Sequence, residues 1–317
     1  MIALPALAEK LKKEKSVALI IHVRPDGDCI GSGCALKLAL QKAGVKAEVF
    51  CRDDIPSRFF FLEEPKRIRK DFVVSDYTAL VAVDCADLFR LGDYADEFRA
   101  HKNTFNIDHH ISNSRFARKD YVFERGANCE NVMDIIKEAG IPIDKEMANL
   151  LLMGIMTDTG DFRHKNVTPD TLYKAGELVS LGADINAISF YMFTAQTKER
   201  AKLFGDTMSA IRYFENGEIA IATVFNNAIE KSGAKPDETE GFIDFVMGIY
   251  GVKVGVCIME KEKDKFKVSF RSHKTDVNAV AGVFGGGGHV LASGCQICGE
   301  YEEVVDKIVS ATKRFLE

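Results

Sequence analysis

Histidine and aspartate residues directly follow several apolar segments of this chain. They are His22, Asp26, Asp28, Asp84, Asp108, His109, His110 and Asp158. A charge at the end of a buried segment costs free energy unless something compensates it. Because the pattern recurs at four apolar segments, we infer one shared compensating agent and predict a pair of divalent metal ions.

The residue types favour particular metals. The predicted ligands offer carboxylate oxygens and imidazole nitrogens without a thiolate, which favours manganese or magnesium over structural zinc. Four aspartates supply four negative charges, which two divalent ions would cancel: Asp26, Asp28, Asp84 and Asp158. Asp84 stands alone after a central strand, so we expect it to bridge two ions about 3.5–4 Å apart.

Each of these aspartates also has a simpler interpretation as a helix N-cap or a turn residue. That alternative is reasonable for any one of them. It does not explain Asp108-His109-His110 at a strand end, because two adjacent histidines cannot both be ordinary core residues. The metal hypothesis accounts for all of them together.

The first part of the chain alternates apolar strands with helices, a pattern typical of a parallel sheet covered by helices on both faces. We predict strands near 17–21, 46–50, 79–83 and 103–107, and helices near 31–43, 55–63, 86–99, 127–139, 144–156 and 169–181. Ligands gather at the carboxyl ends of strands in such sheets. The predicted metal ligands follow those ends, except Asp158, which must reach them from a helix.

A second, smaller α+β domain is predicted after a helical connector. The first domain spans 1–190, the connector 191–212 and the second domain 213–317. Strands are expected near 217–225, 252–260 and 265–271, and helices near 239–248, 276–283 and 301–316.

Composition limits the partners and the compartment. The chain has 317 residues and a formal net charge of −5, which argues against non-specific binding of duplex DNA. No segment has the roughly 20 apolar residues of a membrane span, and the N-terminus lacks a signal peptide's apolar core. We therefore expect a cytoplasmic protein without a membrane partner. Cys295 and Cys298 form a lone C-x-x-C, which we interpret as structural because strand alternation would separate the two thiols.

The ordered motifs resemble the DHH phosphoesterase superfamily. The resemblance rests on His22-Val-Arg-Pro-Asp-Gly-Asp28, Val83-Asp-Cys85, Asp108-His-His110, the segment 154–161 around Asp158, and Gly285-Gly-Gly-Gly-His289 preceded by Arg271-Ser272, which is similar to the DHHA1 signature. The compact two-domain layout looks most like the bacterial oligoribonuclease (nano-RNase)/pAp-phosphatase branch.

The resemblance implies roles for the metal ligands. One manganese would be held by His22, Asp26 and Asp84, and the other by Asp28, Asp84, His109 and Asp158. Magnesium or cobalt are alternatives. Asp108 would orient a histidine, and His110 would face the scissile phosphate. A hydroxide bridging the metals would attack phosphorus and release a nucleoside 5′-monophosphate, or orthophosphate from adenosine 3′,5′-bisphosphate (pAp).

We expect the second domain to hold the substrate. The expected contacts are Arg271, Ser272, Gly286, Gly287, Gly288 and His289. Arg271 offers a planar fork for phosphate, and consecutive glycine amides can form an anion-binding nest. The chain departs from the family pattern at Val290-Leu291, which removes one phosphate contact and leaves the substrate length open. Arg115, together with Asn113, Arg118 and Lys119, could line the site or form a solvated loop.

Three other functions stay open. The first is a linear or cyclic dinucleotide phosphodiesterase, and the second is an inorganic pyrophosphatase. The third is a non-catalytic nucleotide-binding metalloprotein, against which the complete ligand set argues. The sequence is compatible with a homodimer but does not decide the oligomeric state.

Overall fold

The structure is a computed structural model, and it describes residues 1–316. Two compact units divide the chain: the first spans Met1–Ala195 and the second begins at Gln196. The segment predicted as a helical connector is shared between them. A π-helical turn at Phe190–Thr194 ends the first unit, and a helix at Lys198–Ser209 begins the second. The domain boundaries drawn from the sequence stay predictions.

The first unit contains a five-stranded sheet in which every pairing is parallel. Its strands, in the order β2-β1-β3-β4-β5, are β1 (Ser16–Ile21), β2 (Lys46–Phe50), β3 (Ala79–Val83), β4 (Thr104–Asp108) and β5 (Lys119–Val122). All residues of β1, β3 and β4 are buried. A parallel sheet needs cover on both faces, which explains why these strands are continuous apolar runs.

Helices lie on both faces of this sheet. They are α1 (Leu4–Lys13), α2 (Gly27–Lys42), α3 (Ala95–Ala100), α4 (Asn128–Glu138), α5 (Lys145–Asp158), α6 (Pro169–Ser180) and α7 (Ile185–Ser189). Leu19 and Ile21 pack into one core layer with α1, α2, α4 and α5. Ala18 and Ile20 face the opposite layer, which contains Phe98 of α3. The predicted α/β class is confirmed for this unit.

Two predicted helices of the first unit are wrong. The segment 55–63 is a loop with a 3-10 turn at Ser57–Phe59, and Pro56 precedes that turn with a ψ of 133°, which is not helical. The segment 86–99 is split at Gly92, whose φ of 60° is not helical. Only α3 remains there as an α-helix. Strand β5 was not predicted, because four residues are too short for a clear pattern.

The second unit is built on a six-stranded mixed sheet. In the order β10-β11-β9-β8-β7-β6, its strands are β6 (Arg212–Phe214), β7 (Ile219–Val224), β8 (Val254–Glu262), β9 (Lys265–Ser272), β10 (Gly287–His289) and β11 (Ala292–Cys298). Its helices are α8 (Lys198–Ser209), α9 (Asn226–Ser232), α10 (Phe242–Met247), α11 (Val277–Gly282) and α12 (Tyr301–Lys313). This confirms the predicted α+β class.

Alternation along β9 assigns its two faces. Val268 and Phe270 are buried in a core with α11 and α12. Lys267, Ser269 and Arg271 occupy the other face, since successive strand residues point to opposite sides. The chain therefore places a row of polar and basic side chains on one side of this sheet.

Two further features bear on the expectations from composition. None of the helices that the structure describes is long and apolar enough to cross a membrane. All eight cysteines are free, and Cys295 is buried while Cys298 is exposed. The two thiols of the C-x-x-C pair thus lie on different faces of β11, as alternation predicts.

Candidate metal centre and substrate pocket

The carboxyl edge of the parallel sheet collects the predicted ligands. His22 follows β1, Asp84 follows β3, and Asp108, His109 and His110 lie at the end of β4. Asp26 caps α2 and Asp28 lies in its first turn, while Asp158 is the last residue of α5. Residues far apart in sequence meet there because parallel strands present the same ends on one edge.

One group of side chains is centred on His22, which is buried. Its Nε2 lies 3.4 Å from Oδ2 of Asp26 and 3.7 Å from Oδ2 of Asp84. Its Nδ1 lies 2.9 Å from the carbonyl oxygen of Val23. An N–H donated to that carbonyl fixes the ring and leaves the Nε2 lone pair facing the carboxylates, as is usual for ligating histidines.

A second group is centred on His109. Its Nε2 lies 3.4 Å from Oδ1 of Asp84, 3.7 Å from Oδ2 of Asp158 and 3.8 Å from Oδ2 of Asp28. Its Nδ1 lies 3.1 Å from the carbonyl oxygen of Arg125. This ring is oriented in the same way as the first, with Nε2 facing three carboxylates.

Asp84 belongs to both groups. Its Oδ2 faces His22 and its Oδ1 faces His109, so one carboxylate spans the two imidazoles. Its backbone has a φ of 60°, a conformation that costs a non-glycine residue about 1–3 kcal/mol and clusters at functional sites. Its Oδ1 is buried and has no hydrogen-bond partner among the described residues. A cation would satisfy that oxygen.

Burial and mutual repulsion shift the ionisation of these groups. Burial and neighbouring carboxylates raise the pKa of Asp28 and the pKa of Asp158 to about 7. Burial opposes the charged imidazoles, but the surrounding carboxylates raise the pKa of His109 to about 9 and the pKa of His22 to about 10. Burial also opposes ionisation of Asp26, but its hydrogen bond with His22 lowers its pKa to about 2.

The donor set fits hard divalent cations. Cys29 is the cysteine that lies within reach of His22 and Asp26. Burial raises the pKa of the Cys29 thiol well above its usual range. The thiol donates to the Asp26 carbonyl oxygen at 3.5 Å, so its hydrogen is engaged with the backbone. The remaining donors are oxygen and imidazole nitrogen, the set expected for manganese or magnesium.

His110 differs from its neighbour in exposure and in partner. Its side chain is 38% exposed against 10% for His109, so His110 is the histidine that a substrate can reach. Its Nδ1 lies 2.8 Å from Oδ1 of Asp108. Asn113 donates to the other oxygen of that carboxylate. The bond to Asp108 raises the pKa of His110, and it leaves Nε2 available to a ligand.

Backbone amides hold Asp28 in place, which the sequence did not reveal. The N–H groups of Asn128 and Cys129, at the start of α4, donate to its two carboxylate oxygens. The Ser32 hydroxyl lies 3.4 Å from Oδ1. Negative charge at a helix N-terminus is favourable. The run Gly126-Ala127-Asn128 before an apolar helix is the signal that could have indicated this contact.

Asn166 is a second residue that the sequence analysis missed. Its amide nitrogen donates to the carbonyl oxygens of Gly126 and Asp158, at 2.8 Å and 3.2 Å. Gly126 follows Arg125, whose carbonyl orients His109. One side-chain amide therefore ties the loop behind His109 to the end of α5.

Gly154 permits the close approach of α5 to the site. A Cβ at this position would collide with the Cys129 sulfur and would lie 2.9 Å from Oδ1 of Asp28. Gly154 lies one helical turn before Asp158. Its missing side chain lets α5 bring Asp158 beside Asp28.

The basic residues after Asp108-His109-His110 do not act as one group. Arg115 is exposed, and its N–H donates to Oδ1 of Asn113, so it lies in the loop next to the site. Arg118 donates to the carbonyl of His101, and Lys119 donates to Asn103. Those partners precede β4, so the structure places Arg118 and Lys119 at the opposite edge of the sheet.

The second unit contains a cavity of about 660 Å³. Its lining includes basic, acidic and sulfur-containing side chains: Lys261, Lys267, Arg271, Asp237, Glu240, Asp244, Cys257 and Met259. Arg271, Ser269 and Lys267 lie on one face of β9. Of the predicted substrate contacts in this unit, Arg271 is the one that lines the cavity.

The other predicted contacts of the second unit lie elsewhere. Ser272 is on the buried face of β9, and its hydroxyl donates to the carbonyl of Thr275. His289 is exposed on β10. The structure therefore does not bring Ser272 and His289 into the cavity with Arg271.

Steric requirements explain the glycine run at 285–288. The N–H groups of Gly285, Gly286 and Gly288 donate to acceptors in α11, namely the carbonyls of Gly282 and Ala281 and the side chain of Asn278. They do not form the predicted nest of free amides. A Cβ at Gly286 would collide with the carbonyl oxygen of Gly294, so glycine is needed where the loop crosses β11.

Comparison with known families gives two matches. The DHH family, N-terminal domain, matches residues 16–155, and the DHHA1 domain matches residues 216–317. The first match contains most of the ligand groups described above. The second contains the cavity and the glycine run.

Individual proteins match over nearly the whole chain. The chain is 31% identical to the bifunctional oligoribonuclease and PAP phosphatase NrnA of Thermus thermophilus, over 98% of this chain and 93% of the relative. A crystal structure of an exopolyphosphatase-related protein from Bacteroides fragilis is 24% identical, with a TM-score of 0.85 over 98% and 96% of the two chains. RecJ from Thermus thermophilus in complex with Mn²⁺ shares the fold, at 12% identity and a TM-score of 0.53 over 99% of this chain and 55% of that one. The chain therefore belongs to the DHH/DHHA1 phosphoesterase family.

Proposed function

We propose that the chain is a manganese-dependent phosphohydrolase acting on short oligoribonucleotides, which it cleaves to nucleoside 5′-monophosphates, on pAp, or on both. The observation that carries the proposal is the Asp84 carboxylate, with one oxygen facing His22 and the other facing His109. The name of the Thermus thermophilus relative supports the substrate class. The manganese in the RecJ structure supports the metal, with magnesium or cobalt as alternatives.

The two histidine-centred groups are the proposed metal sites. His22, Asp26 and Asp84 would hold one ion, and Asp28, Asp84, His109 and Asp158 would hold the other. The chemistry that two bound ions would supply there is a hydroxide nucleophile near neutral pH and neutralisation of charge on the phosphate. The chain's own contribution is orientation, because the carbonyls of Val23 and Arg125 fix the two imidazole rings.

His110 and Asp108 are the proposed catalytic pair. Asp108 accepts the hydrogen bond from Nδ1 of His110 and keeps that ring in one orientation. His110 can then donate through Nε2 to a phosphate oxygen or to the leaving group. General acid catalysis of this kind contributes about 10²–10⁴-fold to the rate.

The proposed substrate contacts lie in both units, and each unit supplies its own set. In the first unit, Arg115 would contact the phosphate chain. In the second unit, Arg271 is the proposed contact within the cavity, and Ser272, Gly286, Gly287, Gly288 and His289 remain predicted contacts that lie outside it. The cavity around Arg271, with Lys267 beside it, suits a polar anionic ligand. The cytoplasmic location, the exclusion of duplex DNA and of a membrane partner, and a homodimeric state remain predictions.

A substrate panel tests the function. Purified protein with Mn²⁺ is offered pAp, a diribonucleotide, an RNA five-mer, a cyclic dinucleotide and pyrophosphate, with Asp84→Asn as the background control. We expect turnover of the linear RNA substrates or of pAp by the wild type alone. Preferred turnover of pyrophosphate or of the cyclic dinucleotide would replace the proposal, and no turnover of any substrate would refute it.

A further inference from the structure

Two large apolar side chains are exposed beside the proposed metal centre. Phe89 is 82% exposed and Ile111 is 83% exposed. Phe89 lies in the loop after β3, the strand that precedes Asp84. Ile111 directly follows His110, so its Cα is about 3.8 Å from that of the proposed catalytic histidine. Single exposed apolar side chains are common, so the position of this pair beside the proposed ligands is what makes it a candidate contact for a ligand.

Hydrogen bonds tie the two loops to each other. The N–H of Ser114 donates to the carbonyl of Ala86 at 2.8 Å, and the Asn113 amide donates to the carbonyl of Cys85 at 3.0 Å. Asn113 also contacts Asp108. The loop that carries Ile111 is thus fixed to the loop that carries Phe89 and to the carboxylate that orients His110.

The Phe89 loop is also fixed to the first ligand group. Asp87 accepts from the N–H groups of Phe89 and Arg90. The carbonyl of Arg90 accepts from the N–H of Val23 at 2.8 Å, and Val23 is adjacent to His22. Phe89 is therefore exposed on a rigid support whose position is set relative to the metal ligands, and its exposure does not reflect a loose loop.

Two cations accompany the apolar pair. Arg90 follows Phe89, and Arg115 lies four residues after Ile111. Among the residues that the structure describes, the bonds of Arg90 and Arg115 are made by their backbone, and neither guanidinium forms an ion pair or a hydrogen bond. Aromatic side chains combined with unpaired arginines are the combination that binds single-stranded nucleic acid, because each base offers a π-face and each phosphate a charge.

We propose that Phe89 and Ile111 form a stacking platform for one nucleobase of the substrate, the base next to the scissile phosphate. The inference rests on the proposed function and deepens it. A nucleoside whose phosphate is at the proposed metal centre would lie beside His110, and Ile111 follows His110 on a loop that is hydrogen-bonded to the segment of Phe89. A substrate without a base, such as pyrophosphate, would leave both side chains exposed. The platform thus favours nucleotides over inorganic phosphates.

The first test compares substrates with and without bases. We would measure kcat/KM with Mn²⁺ for the dinucleotide pApA and for its counterpart with tetrahydrofuran spacers in place of the bases. Phe89→Ala and Ile111→Ser should each lower kcat/KM for pApA about tenfold, the effect expected from losing one stacked base, and leave the spacer substrate unchanged. Phe89→Trp should keep wild-type values. Tyr250→Ala, which removes a fully exposed aromatic ring of the second unit, is the matched control.

The second test does not need turnover. A dinucleotide carrying 2-aminopurine, titrated with Ca²⁺ in place of Mn²⁺, should lose fluorescence when the base stacks on wild-type protein or Phe89→Trp, and much less on Phe89→Ala. Quenching without hydrolysis of any nucleotide would support the platform and refute the proposed function. Equal quenching by wild type and Phe89→Ala would overturn the platform. Light scattering gives a further outcome that would overturn the platform: a changed oligomeric state of Phe89→Ala with an unaltered preference for bases. Phe89 and Ile111 would then contact a second copy of the chain.

Discussion

The ligand groups of the first unit and the cavity of the second unit hold charged side chains in contrasting surroundings. Asp28 and Asp84 are 1% and 2% exposed, and the carboxylates share their site with imidazoles. Lys267 and Arg271 lie on an open face of a sheet, with acidic residues across the cavity. The two regions thus differ in burial, although both are rich in charge.

The difference indicates what each region requires of its ligand. Buried carboxylates are shielded from solvent, and the Asp84 Oδ1, which has no hydrogen-bond partner among the described residues, suits a cation. The corresponding face of β9 in the second unit is partly exposed, and the weakly hydrated guanidinium of Arg271 suits a phosphate. Changes in the first unit should therefore act through metal binding, and changes in the second unit should act through substrate affinity.

The largest effect should come from Asp84. Asp84→Ala removes the carboxylate that both histidines share, so both ions should be lost. Turnover should fall by at least about 10³-fold, since the main source of charge stabilisation disappears. Elemental analysis and kinetics on the same preparation measure both quantities. Retention of two ions per chain would show that Asp84 does not bridge.

His110→Ala should separate metal binding from chemistry. His110 contacts Asp108 and is partly exposed, so its loss should reduce kcat about 10²-fold while manganese stoichiometry stays the same. His110→Gln provides a comparison that keeps a donor. Loss of manganese in His110→Ala would make this residue a ligand and would contradict its assigned role.

Metal binding should strengthen as the pH rises. The ions need ionised Asp28 and Asp158, whose pKa values of about 7 mean that both still bind protons at neutral pH in the metal-free protein. His109, with a pKa of about 9, must also lose its proton. Mn²⁺ affinity should rise at least about tenfold per pH unit between pH 6 and 7. Calorimetry in buffers of different ionisation enthalpy measures the proton release, and binding without it would contradict the assignment.

The smallest of these effects, and the one that tests the second unit, is expected for Arg271. Arg271→Ala should raise KM about tenfold through the loss of a charge-assisted hydrogen bond, with metal stoichiometry and kcat nearly unchanged. Arg271→Lys should restore only part of the affinity. Lys263→Ala, at an exposed hairpin tip, is the matched control. A fall in kcat without a change in KM would assign Arg271 to the chemical step.

The sequence predicted the site residues that follow the carboxyl ends of the strands. β1, β3 and β4 are continuous apolar runs, and polar residues that follow such runs must lie at one edge of a parallel sheet. It could not predict contacts made by backbone, such as the Arg125 carbonyl on His109, because every residue has a carbonyl. The role of Asn166 was not predictable for a related reason, because its two partners are backbone carbonyls on separate segments.

The sequence also could not predict the glycine-rich turn and the shortest strands. A glycine run can bind an anion through its amides, or it can let a loop pass close to another strand. The carbonyl oxygen of Gly294, which lies against Gly286, shows that the second explanation applies here. Strand β10 has three residues, too few for a period. The segment 55–63 carries no local signal against a helix, because proline is tolerated in the first helical turn.

Helix α5 has a consequence for protein engineering. Alanine in place of a mid-helix glycine ordinarily stabilises a protein by about 1 kcal/mol, so Gly154 would be an obvious target for thermal improvement. In this helix the added methyl group would meet the Cys129 sulfur and the Asp28 carboxylate. The steric cost outweighs the intrinsic helix preference at this position, so alanine here should lower both the stability of the fold and the order of the Asp28 carboxylate.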